Sequence, residues 1–234
     1  MVGKTFSVII PVLKEASRIN ETIEHVLRVA RGSDIELIVV DGDVHGRTVK
    51  AITHAQVIPL VAGRGRGIQM NRGASVSKGD ILLFLHADTE LPPHAFEAVS
   101  CLLESEEYVG GAFALGIQSD RWIFRILEKV ASLRSRVTRM PYGDQVIFVR
   151  RDCFEKYGGF PEIPLMEDVA FMRGLKRAGL KIGIIPLKVL TSARRWEQEG
   201  VLFCTLRNWA LLSLYLLGVA PERLERYYYR HRYG

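Results

Sequence analysis

The sequence has few cysteines and no arrangement of them that suits a zinc site or a disulfide framework. Its three cysteines, Cys101, Cys153 and Cys204, are far apart and include no Cys-x-x-Cys pair. An odd and scattered set of this kind favours a reducing compartment. The amino terminus also lacks the apolar core and cleavage site of a signal peptide. We therefore predict a cytoplasmic protein.

Long apolar runs are also absent. The most apolar segment, residues 209–219, is too short to span a bilayer, which takes about 20 such residues. We expect a helix there whose apolar face is covered by protein or by lipid headgroups. The chain has 234 residues, of which 48% are hydrophobic and 25% charged, and these values fit one domain with modest additions. We predict a main domain over residues 1–200 and a helical, basic and aromatic extension over 201–234 that packs on it.

Charge is unevenly distributed, although the net charge is only +6. Residues 120–140 predict a helix with basic residues on several faces, and residues 222–233 interleave arginine with tyrosine. One face of the helix carries Trp122, Ile126, Val130, Leu133 and Val137. Such segments suit a membrane surface, a phosphorylated partner or RNA, and a solvated face with a dimer contact explains them equally well. We predict self-association or peripheral attachment at the inner membrane surface through residues after about 200, with nucleic acid a less favoured partner.

Three apolar runs of strand length each end in polar or turn residues. They begin at Phe6, Glu36 and Ile81, and they lack the polar alternation of a strand with one exposed face. Helical patterns lie between them. This arrangement predicts an α/β fold with a mostly parallel central sheet flanked by helices. Ligands bind beyond the carboxyl ends of such strands, so we expect a site at that edge.

The third run ends in His86-Ala87-Asp88 and then in a Pro-Pro break. An imidazole nitrogen and a carboxylate oxygen at this position can hold Mg²⁺ or Mn²⁺, which in turn would hold phosphates. The alternative is that Asp88 or Thr89 only caps the helix that starts near Pro92.

Residues 62–74 combine glycines and arginines with the start of a helix. They are not a P-loop, because no Gly-Lys-Ser/Thr follows, and they do not follow the first strand as a dinucleotide fingerprint would. Glycines allow close approach to a ligand, and the amino terminus of a helix offers unpaired N–H groups to an anion. Arg64 and Arg66 add phosphate-binding guanidinium groups. The segment therefore predicts a phosphate contact.

These motifs, taken in order, resemble family-2 glycosyltransferases of the GT-A fold. The resemblance is carried by Ser-Val-Ile-Ile-Pro at 7–11, Val-Val-Asp-Gly at 39–42, Leu-His-Ala-Asp-Thr at 85–89, Gly-Gly-Phe-Pro at 158–161, Met-Glu-Asp at 166–168 and Arg-Arg-Trp at 194–196. The sequence is most similar to a small soluble bacterial subgroup with His-Ala-Asp in place of Asp-x-Asp. The resemblance implies a GT-A-like fold with a Rossmann-like nucleotide-binding half.

The resemblance also implies which residues bind the donor. Asp41 would contact the edge of a uracil-like base, and the glycine-rich segment would hold the nucleotide sugar. The family's second acid after Asp41-Gly42 is missing here, close to Gly46, which leaves the base open between uridine and guanosine. We favour a UDP-sugar, with a GDP-sugar as the alternative. The implied donor-binding residues are Pro11, Glu15, Asp41, Arg64, Arg66, Gln69, Asn71, His86 and Ala87.

Further residues are implied on the side of the acceptor and the leaving group. Asp168 would take the proton of the acceptor hydroxyl, with Glu167 as its neighbour or substitute; alternatively both acids only favour a helix amino terminus. Arg194, Arg195 and Trp196 would stabilise the departing diphosphate and stack against a sugar. Asp144, beside Gln145 on a loop, would bind sugar hydroxyls, and a role in the turn fits equally well.

The sequence thus predicts an inverting glycosyltransferase that moves a sugar from a nucleoside-diphosphate sugar to an acceptor hydroxyl, assisted by Mg²⁺ or Mn²⁺. One alternative is a nucleotidyltransferase of related fold, which would ordinarily carry a glycine-rich, basic loop directly after the first strand. Residues 12–16 are not such a loop. The other alternative is a non-catalytic protein that binds nucleotide sugars.

Overall fold

An eight-stranded sheet forms the centre of the computed structural model, which describes residues 4–229. The strands are β1 (Phe6–Val12), β2 (Ile35–Asp41), β3 (Val57–Val61), β4 (Ile81–Phe84), β5 (Thr89–Glu90), β6 (Tyr108–Gln118), β7 (Ile147–Arg150) and β8 (Lys181–Ser192). They lie in the order β3-β2-β1-β4-β7-β6-β8-β5. The first four strands in this order are parallel, whereas β7 runs antiparallel to both of its neighbours.

The three apolar runs are β1, β2 and β4, as the sequence predicted. β1 and β4 are buried along their whole length. Val8, Ile10 and Leu83 point into one apolar cluster, and Ile9 and Leu82 point into a second cluster on the opposite face. Because both faces of the sheet are covered, successive residues of these strands are almost all apolar. The exception is Ser7, whose buried hydroxyl donates to the Glu36 carboxylate at 2.5 Å and accepts from the Gly79 N–H at 2.8 Å.

Nine helices surround the sheet among the described residues. They are α1 (Ile19–Val29), α2 (Arg66–Val76), α3 (Ala95–Leu102), α4 (Trp122–Thr138), α5 (Arg151–Lys156), α6 (Glu167–Arg177), α7 (Arg194–Glu199), α8 (Val201–Leu216) and α9 (Pro221–Tyr229). α1 and α3 pack into the first cluster, and α2, α5 and α6 pack into the second. The mixed α/β architecture predicted from the sequence is confirmed.

The apolar segment near the carboxyl terminus forms the second half of α8. We expected protein or lipid headgroups to cover the apolar face of this helix. Within the described residues the protein covers only part of it, and Leu206, Trp209 and Leu217 are exposed. No helix in residues 4–229 combines the length and apolar character needed to cross a membrane. The last part of the predicted arginine–tyrosine tail, residues 230–233, lies outside the described residues.

Candidate active site

A pocket of about 750 Å³ lies at the carboxyl ends of β1 and β4. The chain builds β2 and β3 on one side of β1 and then returns to place β4 on the other side. Open α/β sheets bind ligands at such a switch point, and the volume is typical of a small-molecule site. We call it the central pocket.

The central pocket gathers most of the residues that the sequence singled out. Those that line it are Pro11, Glu15, Arg64, Arg66, Gln69, His86, Ala87, Asp88, Asp144, Asp168, Arg195 and Trp196. Five predicted residues are not among its lining residues, namely Asp41, Asn71, Gln145, Glu167 and Arg194. Four of these have visible roles in the scaffold, described below; Arg194 is exposed at the start of α7.

Asp41 ends β2, but its carboxylate is directed into the following loop. The side chain is fully buried. One oxygen accepts a hydrogen bond from the Asp43 N–H at 2.9 Å, and the other accepts from the Thr48 N–H at 2.7 Å. Two backbone N–H groups of the loop, of which that of Thr48 is buried, are thereby satisfied. The structure thus gives Asp41 a role in folding residues 42–49, next to the predicted base-binding role.

Asn71 and Gly67 fix α2 against the Gly-Gly-Phe-Pro segment. The Asn71 amide donates to the Phe160 carbonyl at 2.8 Å and accepts from the Phe160 N–H at 3.0 Å. A Cβ atom at Gly67 would lie only 2.7 Å from the Pro161 carbonyl oxygen. Glycine at 67 therefore permits the close packing that places Arg66 at the edge of the central pocket.

Two glutamines brace the walls of the site through their amide groups. Gln69 lines the central pocket, and its amide donates to the carbonyls of Val12 and Val40 at 2.8 and 2.7 Å. Gln145 is buried, donates to the Phe113 carbonyl at 2.9 Å and accepts from the Tyr142 N–H at 3.3 Å. These contacts fix the ends of β1 and β2 and the loop at 142–145.

Asp168 lies at the start of α6 with its carboxylate at the pocket wall. One oxygen accepts from the Gly143 N–H at 2.6 Å, and the other accepts from the Val169 N–H at 2.7 Å. The positive end of the helix dipole also favours negative charge at this position. The carboxylate is therefore held in one orientation between α6 and the loop at 142–145.

Glu167 is directed away from the pocket and holds Arg66. Its carboxylate lies 2.7 Å from Nε of Arg66, and its side chain is only 2% exposed while that of Arg66 is 41% exposed. Burial raises the pKa of Glu167, and the neighbouring Arg66 guanidinium opposes that rise. Glu167 in turn raises the pKa of Arg66. The pair positions a permanent positive charge at the rim of the central pocket.

We predict that Glu167→Gln destabilises the fold by about 1–2 kcal/mol. This is less than the ~3–5 kcal/mol for breaking a fully buried pair, because water can still solvate the half-exposed Arg66. Chemical unfolding would measure the loss. Glu107→Gln, which removes a carboxylate paired with Lys181 at an exposed site, is the matched control and should show no resolvable change. An equal effect of both substitutions would contradict the assignment.

The Asp144 carboxyl group is buried close to the Arg134 guanidinium. Arg134 belongs to α4 and was not identified as a site residue from the sequence. The Arg134 guanidinium stacks over the Tyr142 ring at 3.3 Å. Oδ1 of Asp144 is buried and has no hydrogen-bond partner. Burial raises the pKa of Asp144 to about 6, and burial lowers the pKa of Arg134 to about 10. An acceptor oxygen without a partner beside the pocket is suited to bind a ligand hydroxyl or a cation.

We expect Asp144→Asn to raise the melting temperature, and to do so more at pH 7.5 than at pH 4.5. The folded-state pKa lies above the unfolded value, so the protein loses stability as the pH rises from about 4 to about 6, where only the unfolded chain has released the proton, and the full cost is present above pH 6. Removing the carboxylate should return on the order of 1–2 kcal/mol at pH 7.5. Thermal melts with EDTA present would measure the difference, with the exposed Asp120→Asn as control. The same gain at both pH values would refute this explanation.

His86 and Asp88 provide a donor set that fits a divalent cation. Burial, with a contribution from Arg66, lowers the pKa of His86 to about 4, so at neutral pH its imidazole is uncharged and offers a lone pair. Within the described part of the chain no three His, Cys, Asp or Glu side chains form a metal cluster. Mg²⁺ and Mn²⁺ sites with phosphate substrates often use only one or two protein carboxylates. The residues present therefore fit a cation that is bound together with a diphosphate.

The carboxyl-terminal helices complete the pocket wall, and no motif in the sequence predicts this role. Asn208 and Leu211 of α8 and Tyr228 of α9 line the pocket. The Tyr228 hydroxyl is hydrogen-bonded to the Arg195 guanidinium. Leu211 also joins Leu165 in a small apolar cluster with α9. These residues carry no local motif, and only the folded chain brings them to β1 and β4.

Residues 7–163 match glycosyl transferase family 2, and the chain therefore belongs to this family. It is 26% identical over 144 residues to a dolichol-phosphate mannosyltransferase of Pyrococcus furiosus, covering 56% of this chain and 40% of that protein. It is 34% identical over 101 residues to a glucosyl-3-phosphoglycerate synthase of Mycolicibacterium paratuberculosis, covering 39% and 30%. The chain thus matches less than half the length of either relative.

The fold also has counterparts among solved structures. The mannosyltransferase PcManGT of Pyrobaculum calidifontis superposes with a TM-score of 0.63 at 21% identity, over 81% of this chain and 57% of that one. At this identity the likeness shows the fold alone. The GT-A-like fold and the family membership inferred from the motifs are both confirmed.

Proposed function

We propose that the protein is an inverting glycosyltransferase that uses a nucleoside-diphosphate sugar. The observation that carries the proposal is the convergence of the oriented Asp168 carboxylate, the Arg66 guanidinium and the His86–Asp88 pair in one pocket at the switch point of the sheet. Such a site holds a base, a phosphate-binding cation and a candidate metal site within reach of one ligand.

The donor is bound on the side of β1 and α2. Pro11 and Glu15 line the wall beyond β1, and Arg64 and Arg66 lie at the start of α2. Arg66 uses Nε for Glu167, and its remaining N–H groups are donors for phosphate oxygens. PcManGT was solved in complex with GDP-Man and Mn²⁺, and we therefore propose GDP-sugars on an equal footing with UDP-sugars.

A divalent cation would be held by Asp88 and His86. Bound there, it would neutralise the charge that develops on the leaving diphosphate. Arg66, at the rim of the same pocket, would stabilise the leaving diphosphate with a fixed positive charge.

Asp168 is the proposed base. Its oxygen accepts the proton of the acceptor hydroxyl as the hydroxyl oxygen bonds to the anomeric carbon. The bond between that carbon and the diphosphate oxygen breaks at the same time, with inversion of configuration, and the nucleoside diphosphate leaves with the bonding electrons. The hydrogen bonds from Gly143 and Val169 hold the carboxylate in place during this step.

The test is a thermal-shift panel of UDP-, GDP- and TDP-sugars, each with and without Mn²⁺. A donor at ~100 times its Kd should stabilise the protein by about 2.7 kcal/mol, or about 5–10 °C for a domain of this size. Release of nucleoside diphosphate from the stabilising donor separates an enzyme from a sugar-nucleotide sensor. Stabilisation by nucleoside triphosphates with sugar phosphates, and by no sugar nucleotide, would support a nucleotidyltransferase and overturn the proposal.

A further inference from the structure

Helix α4 turns an apolar stripe towards solvent. Trp122, Ile126, Val130, Leu133 and Val137 are all exposed, Trp122 by 71%. The sequence pattern placed them on one face, and the structure shows that the opposite face, through Phe124, packs on the protein. Exposed apolar stripes of this length on a helix mark a contact surface.

A basic edge runs beside this stripe. Because an α-helix has 3.6 residues per turn, Arg125 and Lys129 lie on one side of the helix, next to Trp122. Both residues are exposed. Glu128 is the one acidic residue between positions 121 and 139, and it is buried, with its carboxylate paired to Arg125 and Lys188. The exposed face of α4 therefore carries cations and apolar groups without an acidic group.

Helix α8 lies next to α4 and exposes a second apolar stripe. Phe124 of α4 and Val201 of α8 share one small apolar cluster. The outer face of α8 exposes large apolar side chains, of which Leu217 at its carboxyl end is 82% exposed. Residues 201–216 contain no acidic residue. Helix α4 thus presents an apolar stripe with a basic edge, and α8 adds exposed apolar surface next to it.

We propose that the outer faces of α4 and α8 dock on an anionic lipid bilayer. An interfacial helix combines an apolar stripe that enters the headgroup region with lysine and arginine that contact anionic lipid, and tryptophan favours that depth. Charge complementarity selects this occupant over a second copy of the chain, because two α4 faces would bring cations against cations. The proposal does not depend on the sugar donor or on the chemistry of the central pocket.

The inner side of α4 links this surface to the site. Arg134 stacks on Tyr142, and the Ser135 hydroxyl lies 3.2 Å from the Gln145 amide nitrogen that donates to it. Both contacts belong to the loop that carries Asp144. A docked α4 would therefore place the central pocket one helix diameter from the bilayer surface, about 10 Å.

The test is co-sedimentation of the full chain with vesicles of phosphatidylcholine, with or without phosphatidylglycerol. We expect binding to the anionic vesicles and much weaker binding to the neutral ones. Leu133→Gln should weaken binding roughly tenfold, the effect of withdrawing one leucine-sized side chain from the headgroup region. Lys129→Gln should weaken it about fivefold, the usual effect of one basic residue near such a surface.

Matched controls test whether the position of a residue on α4, and not only its charge or apolar character, determines binding. Lys50→Gln removes the same charge from an exposed site after β2, and Val44→Gln replaces an apolar side chain that is 80% exposed; neither should change binding. Equal losses for Lys129→Gln and Lys50→Gln would overturn the proposal, since attraction would then follow net charge alone. Absence of binding to the anionic vesicles would also overturn the proposal. If Leu133→Gln then converted an oligomer to a monomer in sedimentation analysis, the face would be a contact between copies of the chain.

Discussion

Asp168→Asn is expected to lower the rate of sugar transfer by roughly 10²–10⁴ while donor affinity stays near that of the wild type. That range is the usual contribution of a positioned acid or base. An amide cannot take the proton of the acceptor hydroxyl, whereas the groups that we propose to hold the donor lie mainly on β1, α2 and the loops after β1 and β4. Single-turnover rates at saturating donor, together with the donor Kd, would measure the two quantities separately.

The surroundings of Asp168 decide how this variant must be controlled. Both carboxylate oxygens accept backbone N–H groups, from Gly143 and Val169, and an asparagine presents its NH₂ group to one of these donors. The loop at 142–145 could therefore shift as well. An unchanged donor Kd and an unchanged melting temperature would show that the pocket is intact. Transfer at the wild-type rate would place the base elsewhere, and loss of transfer in Glu167→Gln alone, with its donor Kd intact, would exchange the two roles.

The central strands were predictable because burial on both faces leaves a direct mark on the sequence. β1 and β4 are apolar apart from Ser7, and the polar residues that follow them, Glu15 and Asp88, do reach one pocket. The parallel arrangement alone brings the carboxyl ends of these strands together. The position of these groups therefore followed from topology without any knowledge of side-chain contacts.

Other end-of-strand residues could not be assigned from the sequence. Asp41 follows the same rule as Asp88, yet its carboxylate satisfies the N–H groups of Asp43 and Thr48. The spacing of residues cannot show that a carboxylate at this edge of the sheet also folds its own loop. Only the direction of the side chain does so.

Two features could not be predicted from the sequence, for different reasons: the exposed face of α4, and the wall of the central pocket formed by α8 and α9. α4 is apolar on two sides, with Phe124 and Leu127 on one and Leu133 and Val137 on the other, so its periodicity does not say which side meets the protein. Tyr228 reaches the pocket through contacts with residues far away in the chain, such as Arg195. Local patterns carry no information on such pairings.

Asp88→Asn is expected to abolish the metal-dependent part of donor binding without loss of stability. Loss of an outer contact to a bound metal typically costs 10–100-fold in affinity, so loss of a direct carboxylate ligand should reduce the Mn²⁺-dependent gain roughly 100-fold or more. The backbone at this position is held by the Ser192 N–H, which donates to the Asp88 carbonyl at 3.0 Å. The substitution leaves that contact in place, and the melting temperature without ligands should therefore not change.

Calorimetric titration of the nucleoside diphosphate, with Mn²⁺ and with EDTA, would measure this metal-dependent gain. Glu90→Gln is the matched control, because it removes one negative charge two residues away from an exposed side chain that is not among the pocket-lining residues. If the control behaved like Asp88→Asn, the effect would reflect the general field of the site, since both substitutions remove one charge. If Asp88→Asn kept the full Mn²⁺-dependent gain, Asp88 would not be a ligand. The alternative that Asp88 or Thr89 caps the following helix is wrong, because α3 begins at Ala95 and His94 is its N-cap residue. A selective loss of more than 100-fold in Asp88→Asn, with Glu90→Gln unchanged, would exceed the effect of an outer contact and support direct contact between this carboxylate and the cation.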